Sequence, residues 1–153
     1  MAAKTSAPFV ALLAHFCAFA LSQEIKSVAV KSGGDVTLPC MTQEDGDIMI
    51  IRWNIPEVNS DEFVFLYHSQ TIQKLYMDSK YHNRVELKDP EMKNGDASIV
   101  LKNASVTDTG TYECQVSVNR IGRNRRNEPK LTGIVKLQVT DSGELVESHT
   151  RVS

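Results

Sequence analysis

The sequence is poor in the residues that carry out reactions. Of its 153 residues, three are cysteine and four are histidine. It has no Gly-rich phosphate loop and no nucleophile elbow. Its His and Cys spacings match no zinc site. Beyond the N-terminal stretch no apolar run reaches membrane-spanning length, and there are neither internal repeats nor a helical period of useful length. Basic and acidic side chains nearly balance, 17 against 19, which speaks against a nucleic-acid or membrane-surface binder. These absences argue against an enzyme. No catalytic residue, metal, cofactor, small-molecule substrate or nucleic-acid partner is expected.

The N-terminal stretch reads as a targeting segment. Lys4 supplies a short basic region, and residues 9–21 are apolar except for His15. Ala20-Leu21-Ser22 offers small residues at the positions a signal peptidase reads, so cleavage is expected before Gln23, with Ala20 the second choice. The run is too short to span a bilayer as an anchor. Its removal takes Cys17, leaving Cys40 and Cys114, an even number that reads in an exported chain as one disulfide. Lys4 also goes, so 17 basic residues become 16 against 19 acidic, a net charge of −3. Residues 1–22 are thus assigned to a signal peptide, 23–140 to one domain, and 141–153 to a polar, unpatterned tail or linker stub. The product is expected to be secreted, or to be a piece of a longer receptor.

Within the domain, short alternating segments punctuated by turns predict an all-β sandwich of about nine strands. Val36, Leu38 and Cys40 alternate with Thr37 and Pro39, which puts the apolar set on one face. Strands are also expected at 28–30, 48–54, 63–68, 84–87, 97–102, 111–118 and 135–139, with a short edge strand at 71–76. Pro56 to Glu62 and Asn94-Gly95-Asp96 read as turns. A bridge across the 74 positions between the two cysteines restricts the unfolded chain by about 4–5 kcal/mol in the loop-entropy description, an upper-end figure.

Val36-Thr37-Leu38-Pro39-Cys40, Ile51-Arg52-Trp53, Arg84-Val85, Ser98-Ile99-Val100-Leu101 and Asp108-Thr109-Gly110-Thr111-Tyr112-Glu113-Cys114 resemble the V-set of the immunoglobulin superfamily. The likeness covers about residues 28–140. Phe65-Leu66-Tyr67, residues 83–87 and residues 95–103 resemble the butyrophilin and myelin-oligodendrocyte-glycoprotein group in particular, and the chain is also similar to the junctional-adhesion group that includes the coxsackievirus and adenovirus receptor. The resemblance implies a V-type sandwich with Cys40 bridged to Cys114 between the sheets and Trp53 packed on the bridge. It implies that the Tyr112 hydroxyl bonds backbone at a corner, and that Arg84 pairs with Asp108, unless both charges are simply solvated. It further implies a cell-surface protein that binds another protein, often tuning T-cell activation, or alternatively a domain that self-associates in cell adhesion. The last strand departs from antigen receptors in lacking their Gly-x-Gly bulge motif, having Gly133 alone.

Three features bear on partners. Asn103-Ala104-Ser105 is a glycosylation sequon, with Leu101 and Ala104 expected to face inward, although a sequon can go unused. Phe63-Val64-Phe65-Leu66-Tyr67 is apolar in both alternating sets. Phe63, Phe65 and Tyr67 are expected on the outer surface, joining Ile50 and Arg52 in a flat pairing face, unless a neighbouring strand or loop covers them. Arg120, Arg123, Arg125 and Arg126 cluster in the loop before the last strand, where they would meet an acidic patch or sialylated glycan, or serve only solubility. If the loop is a contact, replacing these four arginines with Ser weakens partner binding and flattens its salt dependence; an unchanged affinity in a titration at two ionic strengths overturns that role.

Overall fold

In a computed structural model the chain is described over residues 23–120 and 128–141. The expected signal peptide, Arg123, Arg125, Arg126 and nearly all of the polar tail lie outside the described residues. Alternation of apolar and polar side chains produces nine strands among the described residues: β1 (Ile25–Lys31), β2 (Val36–Leu38), β3 (Asp47–Asn54), β4 (Phe65–His68), β5 (Thr71–Ile72), β6 (Val85–Leu87), β7 (Ile99–Leu101), β8 (Gly110–Asn119) and β9 (Lys130–Thr140). They form a six-stranded sheet ordered β1-β9-β8-β3-β4-β5 and a three-stranded sheet ordered β2-β7-β6. Every pair is antiparallel except β1 with β9, which run parallel. No described helix is long and apolar enough to cross a membrane.

The inward faces supply the core. Leu38, Ile51, Trp53, Phe65, Ile99, Leu101, Tyr112 and Val135 are fully or almost fully buried. Cys40, just past β2, bonds Cys114 of β8 and so joins the two sheets, with a Cα–Cα distance of 6.5 Å. Trp53 pairs with Cys114 in the β3–β8 register, and its indole N–H donates to Ala97 O at 3.2 Å, so the ring's one polar group is satisfied inside the core.

One local feature differs from expectation. The edge strand predicted over residues 71–76 pairs only at Thr71–Ile72, because Lys74–Tyr76 coils into a 3-10 turn closed by Tyr76 N–H on Gln73 O. The last strand, without a Gly-x-Gly motif, carries a bulge: Cys114 faces Gly133 while Gln115 faces Leu131, leaving Thr132 as the extra residue. A bulge needs one additional residue on one strand and not a particular pair of glycines.

At the end of the sandwich where β8 begins, Asp108 is buried and multiply held. Arg84 Nη2 lies 2.5 Å from Asp108 Oδ2, Lys80 Nζ 3.2 Å from Oδ1, and Ser105 N–H donates to Oδ2 at 2.8 Å. Burial pushes this carboxyl up, but the Arg84 and Ser105 hydrogen bonds and the Lys80 ammonium outweigh burial and hold it below the usual aspartate range. Its hydrogen bond to Asp108 likewise raises Arg84. The Tyr112 hydroxyl donates to Asp108 O at 2.5 Å and meets the Tyr81 hydroxyl at 3.2 Å. Burial first, and that contact second, push the Tyr112 phenol strongly upward, so it stays neutral.

Two expectations follow. A carboxyl depressed in the fold contributes stability that is complete at neutral pH and is lost as pH falls below about 4. Urea unfolding should therefore show the wild type losing more stability than Asp108→Asn between pH 7 and pH 3, and the variant should cost about 1.5–3 kcal/mol at pH 7. The two-residue link from β4 to β5 has Ser69 and Gln70 both left-handed, at φ 53° and 65°. That backbone favours Asn-Gly, so Ser69→Asn with Gln70→Gly should raise stability by about 1 kcal/mol, read as a higher thermal midpoint.

Candidate functional site

Register decides which side chains the six-stranded sheet shows to solvent. Ile51 and Trp53 of β3 point inward, so Ile50 and Arg52 point outward, and their partners on β4 and β8 share that face: His68 and Ser117 opposite Ile50, Leu66 and Gln115 opposite Arg52. On β9, Leu131 opposite Gln115 and Ile134 opposite Glu113 continue it. The expected outward placement of Phe65 and Tyr67 is therefore corrected. Phe65 is 0% exposed and pairs with Trp53, and Tyr67 packs half-buried against the core. Phe63 lies on the outer side, half-buried, with its ring centroid 5.8 Å from Arg52 Cζ.

The physical reason is a break in alternation. Val64 and Phe65 are both buried, at 4% and 0%, and Val64 N–H bonds Trp53 O, so the chain reaches β4 one step out of phase. Leu66, not Phe65 or Tyr67, is the outward apolar residue of β4. A run apolar in both sets leaves parity undetermined; only the pairing of Phe65 with Trp53 decides it.

The face combines apolar area with one central cation. Met49, beside the β3 irregularity at Ile48/Ile50, is 40% exposed and Leu131 43% exposed, while Ile50, Leu66 and Ile134 are half-buried among them. Arg52 sits between Leu66 and Gln115 with its head over Phe63, and its Nε is buried without a hydrogen-bond partner among the described residues. A shallow depression of about 550 Å³ at the upper end of the face is lined by Met49, Ile50, Arg52, His68, Glu128 and Pro129, among others. A larger one of about 710 Å³ lies at the opposite end, between residues 54–62 and the Lys80–Tyr81 region. No three His, Cys, Asp or Glu among the described residues are placed to hold a metal.

The arginine loop is described only at its edge. Arg120 Nη2 lies 3.5 Å from Glu44 Oε2, and Lys130 Nζ donates to Glu44 Oε1 at 2.9 Å. Glu44 stands on the β2–β3 loop, so one acid clasps both ends of the β8–β9 connection. The Lys130 hydrogen bond, with a smaller contribution from Arg120, holds Glu44 below the usual glutamate range. Exposed pairs of this kind contribute about 0–1 kcal/mol, little to stability. An acidic partner would compete with Glu44 for Arg120. Gly46 brings the loop close to β8: at φ 131°, a Cβ there would lie 2.2 Å from Asn119 O.

Met49, Leu66, Leu131 and Ile134 were not singled out by the sequence pattern, nor was Glu44. Hydrophobicity alone does not distinguish an outward Leu66 from an inward Phe65, and Glu44 lies 76 and 86 positions from the two cations it holds.

Comparison with known proteins accords with this architecture. The immunoglobulin V-set domain model matches residues 23–143. The coxsackievirus and adenovirus receptor homolog of Danio rerio is 33% identical over 96 residues, covering 59% of this chain and 26% of that protein. The chain thus spans about a quarter of that relative's length. A chain in the crystal structure of ICOS in complex with ICOS-L and an anti ICOS-L VNAR domain matches with a TM-score of 0.61 at 26% identity, covering 77% of this chain and 56% of that one. Bovine butyrophilin matches in fold with a TM-score of 0.61 at 23% identity, covering 78% of this chain and 53% of that one. With nine strands in two sheets, the Cys40–Cys114 bridge beneath Trp53 and a family match over most of its length, the chain belongs to the immunoglobulin V-set family.

Proposed function

We propose that this chain is an extracellular recognition module that binds another cell-surface protein through the outer face of its six-stranded sheet, as an immune-regulatory ligand or receptor. The observation that carries this reading is the grouping of Met49, Ile50, Leu66, Leu131 and Ile134 around Arg52 on the outward side of the six-stranded sheet, with Met49 and Leu131 40% and 43% exposed. Apolar area surrounding a central arginine is the composition of an interface core rather than of an ordinary solvated sheet. The similarity to a chain of the ICOS–ICOS-L complex supports an immune-regulatory role, and the likeness to the Danio rerio receptor homolog supports a cell-surface setting. Arg52 is the anchor in this reading. Its stem lies in apolar surroundings and its guanidinium is held over Phe63, which leaves a planar donor group for a carboxylate or backbone carbonyl of the partner.

Recognition by this face predicts that Leu66→Asp and Arg52→Ala each weaken binding to leukocytes that lack the protein by about 30-fold or more, the equivalent of about 2 kcal/mol. Circular dichroism of each variant should match the wild type. Retained affinity in both well-folded variants would exclude this face. Aggregation of beads carrying only this protein, abolished by the same substitutions, would assign the face to self-association in adhesion instead.

A further inference from the structure

Residues 103–105, Asn-Ala-Ser, are the chain's single Asn-x-Ser/Thr sequence. Asn103 follows the end of β7, between Leu101 and Ala104, which are 1% and 2% exposed. Its backbone is tied on both sides: the N–H donates to Asp35 Oδ1 at 3.0 Å, and the carbonyl accepts from Arg84 Nη2 at 3.0 Å. Its φ of 49° is left-handed, a conformation asparagine tolerates better than most residues. The residue is exposed, and its side-chain amide makes no hydrogen bond within the described residues. The backbone is anchored while the amide is open, so a group attached at Nδ2 displaces nothing.

The position is also directional. Ala104 N–H bonds Gly34 O, Gly33 N–H bonds Ala104 O, and Ser32 N–H bonds Thr140 O, which puts Asn103 at the end of the sandwich where β9 finishes. Because β2 runs antiparallel to β7, the loop that carries Glu44 lies at the opposite end.

We propose that Asn103 carries an N-linked oligosaccharide that covers the β9-terminal end of the sandwich and leaves both the outer face of the six-stranded sheet and the Glu44–Arg120 end open. The proposal rests on the extracellular reading above. In the transfer, Asn103 Nδ2 bonds the anomeric carbon of the sugar. The carbon–oxygen bond to a polyprenyl diphosphate carrier breaks, the diphosphate leaves with the electron pair, and the amide gives up one proton. The sequon requires the Ser105 hydroxyl. In the fold that hydroxyl caps the 3-10 turn Val106–Asp108, accepting from Thr107 N–H and meeting Thr107 Oγ1.

The test is expression of the full chain in eukaryotic secretory cells, followed by peptide mass mapping with and without peptide-N-glycosidase. The expected result is one glycan per secreted chain, with the enzyme converting residue 103 to aspartate. Asn103→Gln should abolish the modification, and Ser105→Thr, which keeps both hydroxyl and cap, should retain it. Secreted wild type with unmodified Asn103 overturns the site whether or not the variants fold. Enzymatic removal of the sugar should leave leukocyte binding within about twofold of the intact protein. Gln115→Asn, which makes a sequon with Ser117 on the outer face, should place a second glycan there and abolish binding. Binding that recovers when the Asn103 sugar is removed overturns the proposed coverage. An occupied Gln115→Asn glycan that leaves binding intact overturns the outer-face reading while the Asn103 site stands. A chain that never reaches the medium or the cell surface overturns the extracellular reading and this proposal with it.

Discussion

The two sheets are held in one arrangement by the Cys40–Cys114 bridge together with Trp53, the register partner of Cys114. Cys40 leaves β2 of the three-stranded sheet, Cys114 lies in β8 of the six-stranded sheet, and Trp53 pairs with Cys114 from β3 while bonding Ala97 beside the opposite sheet. This group determines which side of β3 and β8 faces in. With Trp53 inward, Ile51 and Val116 must follow, and Ile50, Arg52, Gln115 and Ser117 must face out. The face proposed for recognition is thus a consequence of the core and not an independent feature. A covalent bridge alone tolerates rotation between sheets. Trp53, beside Cys114 in the register and donating its N–H to Ala97 O, adds a second link between the sheets.

A second anchor sets the other end. Asp108 is enclosed by Arg84, Lys80 and the Ser105 N–H, and Tyr112 reaches back to its carbonyl. Arg84 also grips the carbonyl of Asn103, so the charge that neutralises the buried acid fixes the backbone from which the sugar would project. The opposite end is held more lightly, by Glu44 between Arg120 and Lys130 in exposed pairs. One end is locked by buried charge and the other is clasped by solvated charge.

Several features were legible from residue order alone. Cys40, Trp53, Tyr112 and Cys114 indicated the scaffold, since a long-range cysteine pair with an intervening Trp and a Tyr two residues before the second Cys fits few other folds. The count of nine strands followed from short period-two segments between turns. The pairing of Arg84 with Asp108 was anticipated from family resemblance, and the geometry includes Lys80 as well. The outward face was only half legible: Ile50 and Arg52 are where the alternation of β3 puts them, whereas Phe65 and Tyr67 turn inward.

The sequence by itself determined that this chain is an all-β sandwich with one bridge, because alternation, turn residues and cysteine spacing are local or pairwise signals that survive without coordinates. Tertiary structure decided what the sandwich displays. In Phe63–Tyr67 both alternating sets are apolar, so burial energy is similar for either parity. The choice fell to the pairing of Phe65 with Trp53 beside it in the sheet, with Val64 also buried and Leu66 left outside. In the same way Glu44, Arg120 and Lys130 meet only because β2, β8 and β9 bring their ends together, a proximity that no spacing along the chain encodes.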